Sequence, residues 1–97
     1  METRLSVSVK MEDGSWDLFL EKELNLDFIP DVEDEIDDNG LNFKVRSRRF
    51  YLDGYVTLLL VQCFEMINDR DKKEVLTRMK ESGWYYRDPA LFDILDL

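Results

Sequence analysis

Six carboxylates lie within eight consecutive residues, 31–38, of the sequence. Clustered carboxylates can hold a divalent cation when their oxygens converge, and an acidic surface can also attract a basic protein. The best match to an EF-hand calcium loop starts at Glu35, but its first position lacks the preferred Asp and its last position is Arg46. We therefore predict no metal site, which leaves a surface that binds a basic partner or a solvated loop. The candidate partner-binding residues are Asp31, Glu33, Asp34, Glu35, Asp37 and Asp38.

Four basic residues follow directly and are flanked by the aromatic residues Phe43, Phe50 and Tyr51. Such a strand could hold phosphates while its rings stack on bases, as in proteins that bind single-stranded nucleic acid. A simpler interpretation is cross-strand ion pairing with the carboxylates of residues 34–38, and a third is a basic strip that faces a protein. The nucleic-acid candidates are Lys44, Arg46, Arg48 and Arg49, of which the first three are expected on one face of the strand.

Three consecutive aromatic residues, Trp84, Tyr85 and Tyr86, form another candidate site. Tryptophan and tyrosine often supply much of the binding energy at protein interfaces. Because three neighbouring side chains do not all point inward, we expect at least one at an interface or beneath the last helix. Core packing and a ligand-stacking pocket are the alternatives. A homodimer held by these residues, or by an open strand edge, is a further possibility.

The composition excludes several classes of catalytic site. The 97 residues include no histidine, so imidazole bases, Ser-His-Asp and Cys-His nucleophiles and histidine metal ligands are absent. The single cysteine, Cys63, excludes an intrachain disulfide, and its mostly apolar neighbours predict a buried core residue. Each glycine is isolated, so the sequence has no phosphate-binding loop. We expect a protein without enzymatic activity and without a cofactor.

The charge is unevenly distributed along the chain, whose formal net charge is −9. Residues 1–42 carry thirteen acidic and three basic residues, whereas residues 43–52 carry four basic residues and no acidic one. A field of this sign repels nucleic acids and lipid phosphates and attracts basic proteins. The sequence shows no signal peptide and no apolar run near the roughly 20 residues that span a bilayer. We therefore expect a cytoplasmic protein that does not enter a membrane.

Alternating apolar and polar residues predict strands in the first two thirds of the chain. The alternation runs over residues 5–11 and again over 16–24, so the first two strands should form a hairpin. Residues 41–52 predict a third strand after the turn signal Asn39-Gly40. Residues 55–64 are apolar on both faces, which is typical of a strand that lies centrally or under a helix.

Helix signals occupy the rest of the chain. Asn68 has the properties of an N-cap and Gly83 those of a residue that ends a helix, and Asp88-Pro89 starts a short tail helix. We predict one α+β domain over residues 1–97, strand-rich over 1–66 with a helical appendage over 67–97. The fold should be a small antiparallel sheet or half-open barrel of four or five strands, followed by a C-terminal helix and a short tail helix.

The spacing of Pro30, Asp34 and Ile36, followed by Phe43 and Val45, matches a turn that leads into two paired strands. Together with the surrounding residues 28–54, it resembles a pattern in small uncharacterised bacterial proteins with SH3-like barrels. There the sequence P-x-x-G-D-x-I enters a strand, and a strand with Y/F-x-V pairs with it; this chain has glutamate in place of the glycine. The resemblance implies a small barrel and no particular function.

Together these patterns favour a non-enzymatic module for protein–protein interaction. A small acidic domain can block a basic active site or a nucleic-acid groove by presenting carboxylates in place of phosphates, as an inhibitor or immunity-type protein would. The alternative is a single-stranded nucleic-acid binder that uses residues 43–51.

Overall fold

A computed structural model describes residues 1–15 and 17–86. In this part of the chain, five strands precede one helix. Their bounds are β1 Glu2–Lys10, β2 Asp17–Asn25, β3 Glu35–Asp38, β4 Leu41–Phe50, β5 Val56–Gln62 and α1 Asp69–Glu81. The strands form one sheet in the order β2-β1-β5-β4-β3. The predicted α+β class is confirmed, whereas the tail helix predicted from Asp88 lies outside the described residues.

The predicted hairpin and the predicted turn at Asn39-Gly40 both connect antiparallel strands. β1 and β2 pair from Glu2 opposite Asn25 to Lys10 opposite Asp17, as predicted. β3 and β4 are joined by Asn39 and Gly40, whose φ angles of 54° and 82° suit the two-residue turn that matches strand twist. The acidic residues 35–38 therefore form a short edge strand rather than an extended loop.

The position of β5 departs from a purely antiparallel sheet. β5 is central, as its sequence predicts, and pairs antiparallel with β4 but parallel with β1, where Leu5 lies opposite Leu58. Parallel neighbours need a long crossover connection, and the chain from β2 through β4 supplies it here. The sheet is consequently mixed, with antiparallel pairs in the majority.

One face of the sheet is buried and the other faces solvent. The buried face and the covering residues form the core, which consists of Leu5, Val7, Val9, Leu18, Leu20, Leu41, Phe43, Val45, Val56, Leu58, Leu60, Met66, Val75, Leu76, Met79 and Trp84. On the opposite face, Leu59 keeps 37% of its surface exposed. Cys63 follows the end of β5 and is exposed, so the prediction that it is a core residue is wrong. Its apolar neighbours did not indicate that this face of the sheet is open.

The helix α1 begins and ends as its sequence predicts. The Asn68 side chain accepts a hydrogen bond from the Asp71 backbone N–H, which satisfies one orphan donor of the first turn. At the other end, Trp84 N–H donates to the Met79 carbonyl and Gly83 N–H to the Lys80 carbonyl, with Gly83 at φ 93°. This Schellman arrangement turns the chain back toward the sheet. The helix packs on the core through its buried residues Val75, Leu76 and Met79.

The sheet curls until its two edge strands touch. Lys22 Nζ of β2 lies 2.7 Å from Asp38 Oδ2 of β3, and Trp84 Nε1 donates to the same oxygen at 2.8 Å. Tyr85 also forms an isolated antiparallel bridge with Glu21 of β2, with N–O distances of 2.8 and 2.9 Å. The chain after α1 thus covers part of the β2 edge and links it to β3.

Candidate partner-binding surface

The acidic segment, residues 31–38, forms a tight turn that leads into β3. Asp34 N–H donates to the Asp31 carbonyl at 3.0 Å, and the Asp34 carboxylate accepts from Asp31 N–H at 2.8 Å. Backbone hydrogen bonds from Glu33 N–H to the Val45 carbonyl and from Val45 N–H to the Asp34 carbonyl attach this turn to β4. The carboxylates are therefore held on an ordered backbone along the sheet edge.

Glu33 occupies a backbone conformation that favours glycine. Its φ is 78°, in the left-handed region, at the third position of the turn between Asp31 and Asp34. The sequence pattern described for residues 28–54 has glycine at this position. The chain thus keeps a charged side chain here at the cost of backbone strain.

The structure exposes five of the six predicted partner-binding carboxylates of the segment. The exposed residues are Asp31, Glu33, Asp34, Glu35 and Asp37. Asp38 is only partly exposed and is engaged by Lys22 and Trp84, so its role is to hold the fold together. We therefore remove Asp38 from the candidate surface.

Part of the acidic charge is balanced by β4, although the partners are Asp31 and Glu33 rather than the carboxylates of residues 34–38 that the ion-pairing interpretation names. Lys44 Nζ lies 3.6 Å from Glu33 Oε2, and Arg48 Nη1 lies 3.0 Å from Asp31 Oδ1. Exposed pairs of this kind typically contribute about 0–1 kcal/mol. Within the described residues, no basic side chain pairs with Asp34, Glu35 or Asp37. The surface therefore retains an excess of negative charge.

A β-bulge in β4 separates the basic residues expected on one face. Val45 lies opposite Leu60, but after the irregularity Ser47 lies opposite Leu59 and Arg48 opposite Leu58. The extra residue, Arg46, reverses the alternation, because each residue of a strand otherwise points to the face opposite its neighbour's. The prediction that Lys44, Arg46 and Arg48 share one face is therefore wrong.

The open face of the sheet carries one of the remaining basic residues, Arg49. A shallow concavity of about 270 Å³ on this face is lined by Arg49, Tyr51, Phe19 and Leu59, together with Ser6, Ser47 and Thr57. Arg46 and Arg49 are exposed, and within residues 1–15 and 17–86 neither forms an ion pair. This face combines aromatic rings with the exposed guanidinium group of Arg49.

The aromatic triplet is mainly a structural element. Trp84 keeps only 3% of its surface exposed and packs on Phe43, with ring centroids 5.4 Å apart. Burial removes Trp84 from the candidate interface, and the core alternative is correct for it. Tyr85 and Tyr86 are half-buried. The Gly83 signal could have identified the inward residue, because the residue after the glycine of a Schellman motif commonly packs against the end of the helix.

Tyr85 lies within a cluster of charged groups on the β2 edge. Its hydroxyl is 3.3 Å from Glu23 Oε1 and 3.4 Å from Glu21 Oε2, and Arg4 Nη2 lies 2.9 Å from Glu23 Oε1. Burial raises the pKa of the Tyr85 hydroxyl, the carboxylates of Glu23 and Glu21 raise it further, and Arg4 partly offsets them. The cluster therefore holds Tyr85 in its neutral form.

An apolar groove borders the acidic segment. It has a volume of about 340 Å³, and its apolar lining comprises Leu5, Leu24, Leu26, Phe28, Pro30 and Ile36. Asp34 and Glu35 complete the lining on the β3 side. Sequence reasoning missed this groove because its walls come from segments far apart in the chain. The exposed ring of Phe28, with 76% of its surface accessible, gives no periodic signal.

Among the residues that the structure describes, no three His, Cys, Asp or Glu side chains come together as a metal site, and no helix is long and apolar enough to cross a membrane. The comparisons with known proteins found no matching family model, no matching curated protein and no matching solved structure. The resemblance to SH3-like barrels therefore stays a prediction.

Proposed function

We propose that this chain is a non-enzymatic module of the cytoplasm that binds a basic surface of another protein through its acidic segment. The observation that carries the proposal is the row of exposed carboxylates at one sheet edge, where only Asp31 and Glu33 have basic partners within the described residues. Opposite charge across an interface speeds encounter and disfavours wrong partners. A bound module of this kind would cover a basic catalytic or nucleic-acid site and so inhibit it.

The arrangement of the acidic segment supports an interface rather than a purely solvating role. Its carboxylates project from a turn and a strand whose backbone is hydrogen-bonded to β4, so binding would order little additional chain. A pre-ordered backbone lowers the entropic cost of association. A loop that served only to keep the protein in solution would need the same charges but not the hydrogen bonds to β4.

Chemical-shift mapping tests this proposal with a defined probe. A short peptide of alternating lysine and serine is titrated into the isotope-labelled protein at low salt. We expect the backbone amides of residues 31–37 to shift most, because the excess negative charge is concentrated there. Shifts spread evenly over the acidic residues of the whole chain, including Glu12 and Asp53, would contradict the proposal.

A second candidate function rests on the open sheet face. Arg46 and Arg49 are exposed and form no ion pair in the described chain, and Phe19 and Tyr51 lie near Arg49 in the same concavity. Rings and guanidinium groups in this arrangement could bind single-stranded nucleic acid by stacking and phosphate contact. The net charge of −9 opposes such binding.

Anisotropy of a labelled short oligonucleotide separates this second candidate from the first. If it is correct, Arg49→Gln weakens binding, whereas Arg70→Gln, an exposed arginine on α1, leaves it unchanged. The absence of binding to the wild-type protein at low salt would exclude the second candidate.

A further inference from the structure

We propose that the groove between β2 and β3 receives an apolar side chain of the same basic partner. This inference rests on the function proposed above and adds the chemistry of the partner's contact residue. The partner segment would combine an exposed aliphatic or aromatic residue with lysine or arginine next to it.

The groove arises from the way the sheet closes. Lys22 and Asp38 join the two edge strands. Leu24, two residues after Lys22, and Ile36, two residues before Asp38, line the groove. Leu5 of the central strand β1 also belongs to the lining. The edges thus meet at one point and leave an apolar gap beside it, open to solvent.

The groove and the acidic segment form one continuous surface. Asp34 and Glu35 belong to both, and neither has a basic partner among the residues described. An occupant that is only apolar would desolvate these carboxylates without compensation, which is unfavourable. A lysine or arginine beside the apolar side chain would satisfy them, so charge complementarity selects a basic peptide segment over a neutral lipid chain.

The size of the groove suits a single anchoring residue. Its volume of about 340 Å³ is at the lower end of the range of roughly 300–1,000 Å³ for ligand pockets. Tight interfaces often depend on one buried anchor side chain surrounded by polar contacts. Phe28, with its exposed ring at the groove wall, would be covered by such an anchor.

Two peptides of identical charge test the inference. One alternates lysine with leucine and the other alternates lysine with serine, and the affinity of each is measured by anisotropy at low salt. We expect the leucine peptide to bind about tenfold more tightly, because burying one leucine side chain in an apolar site is worth roughly that factor. The methyl signals of Leu24, Leu26 and Ile36 should shift with the leucine peptide alone.

A matched pair of variants locates the contact. Phe28→Ala removes an exposed ring from the groove wall and should abolish most of the leucine preference. Leu52→Ala removes an even more exposed apolar side chain at the β4–β5 turn, outside the groove, and should leave the preference intact. The comparison of the two peptides on the wild-type protein does not depend on the folding of any variant.

The outcomes distinguish this inference from the function on which it rests. Equal affinity of the two peptides, with shifts confined to the acidic segment, would overturn the groove contact and leave the proposed function standing. Failure of both peptides to bind would overturn both. Two other outcomes would overturn the inference by showing a different occupant of the groove. Nuclear Overhauser contacts from the groove methyls to Leu91 or Leu95 in the unbound protein would show that the chain's own last residues fill it. A dimer mass that depends on concentration, together with shifted groove methyl signals, would show that a second copy fills it.

Discussion

The indole Nε1 of Trp84 lies 2.8 Å from Oδ2 of Asp38, although 46 positions separate the two residues. The same oxygen is 2.7 Å from Lys22 Nζ. One carboxylate at the end of the acidic segment therefore joins both edge strands to the chain that follows α1. The remaining carboxylates of the segment face solvent, so the proposed function assigns the binding role to the neighbours of a structural residue.

Substitution of Asp38 should destabilise the fold. Asp38→Ala leaves the Lys22 ammonium and the indole N–H of Trp84 without their acceptor. This loss should lower the free energy of unfolding by about 2–3 kcal/mol. Asp38→Asn keeps an acceptor oxygen and should cost less. Urea denaturation gives these values, with the exposed Glu35→Ala as a control expected within about 0.5 kcal/mol of wild type. A loss no larger for Asp38→Ala than for Glu35→Ala would refute the structural role.

Replacing Glu33 should reveal backbone strain. At φ 78°, a side chain costs energy that glycine avoids, so Glu33→Gly should be about 1 kcal/mol more stable than Glu33→Ala. Both variants lack the ion pair with Lys44, which makes alanine the matched control. Equal denaturation midpoints for the two variants would show that the turn carries no strain at this position.

The stability of the fold should depend on the ionisation of Tyr85. The pKa of this hydroxyl is higher in the folded state than in the unfolded state, so the neutral form stabilises the fold. This contribution is complete below the unfolded-state pKa of about 10 and is lost as the pH rises through the folded-state pKa. The advantage of wild type over Tyr85→Phe in unfolding free energy should therefore shrink at alkaline pH. A difference that stays constant over this range would contradict the assignment.

Cys63 should react readily in the native protein. The thiol is exposed beyond the end of β5, so a colorimetric thiol reagent should label the native chain at nearly the rate found in denaturant. Strong protection in the native state would instead restore the sequence-based expectation of a core cysteine. The assay needs no variant, because Cys63 is the only cysteine.

Features set by neighbouring residues could be predicted from the sequence, and features set by distant contacts could not. The first hairpin follows from the alternation of apolar and polar residues, and the two ends of α1 follow from Asn68 and Gly83. All of these are local signals. The bulge at Arg46 depends on how β4 meets β5. The roles of Asp38 and Trp84 depend on the curl of the whole sheet. The acidic segment was identified because its charges are adjacent in sequence, whereas the groove needs walls from three separate segments.

The salt dependence of binding by two charge-matched double variants tests the central claim most directly. Glu35→Gln with Asp37→Asn removes two charges from the acidic segment, and the asparagine can still accept the Gly40 N–H. Glu12→Gln with Asp53→Asn removes two charges elsewhere. Affinity for the lysine–serine peptide should fall about tenfold at low salt for the first pair, with a shallower salt dependence, and less than about twofold for the second. Equal losses for both pairs would contradict a binding surface at residues 31–37.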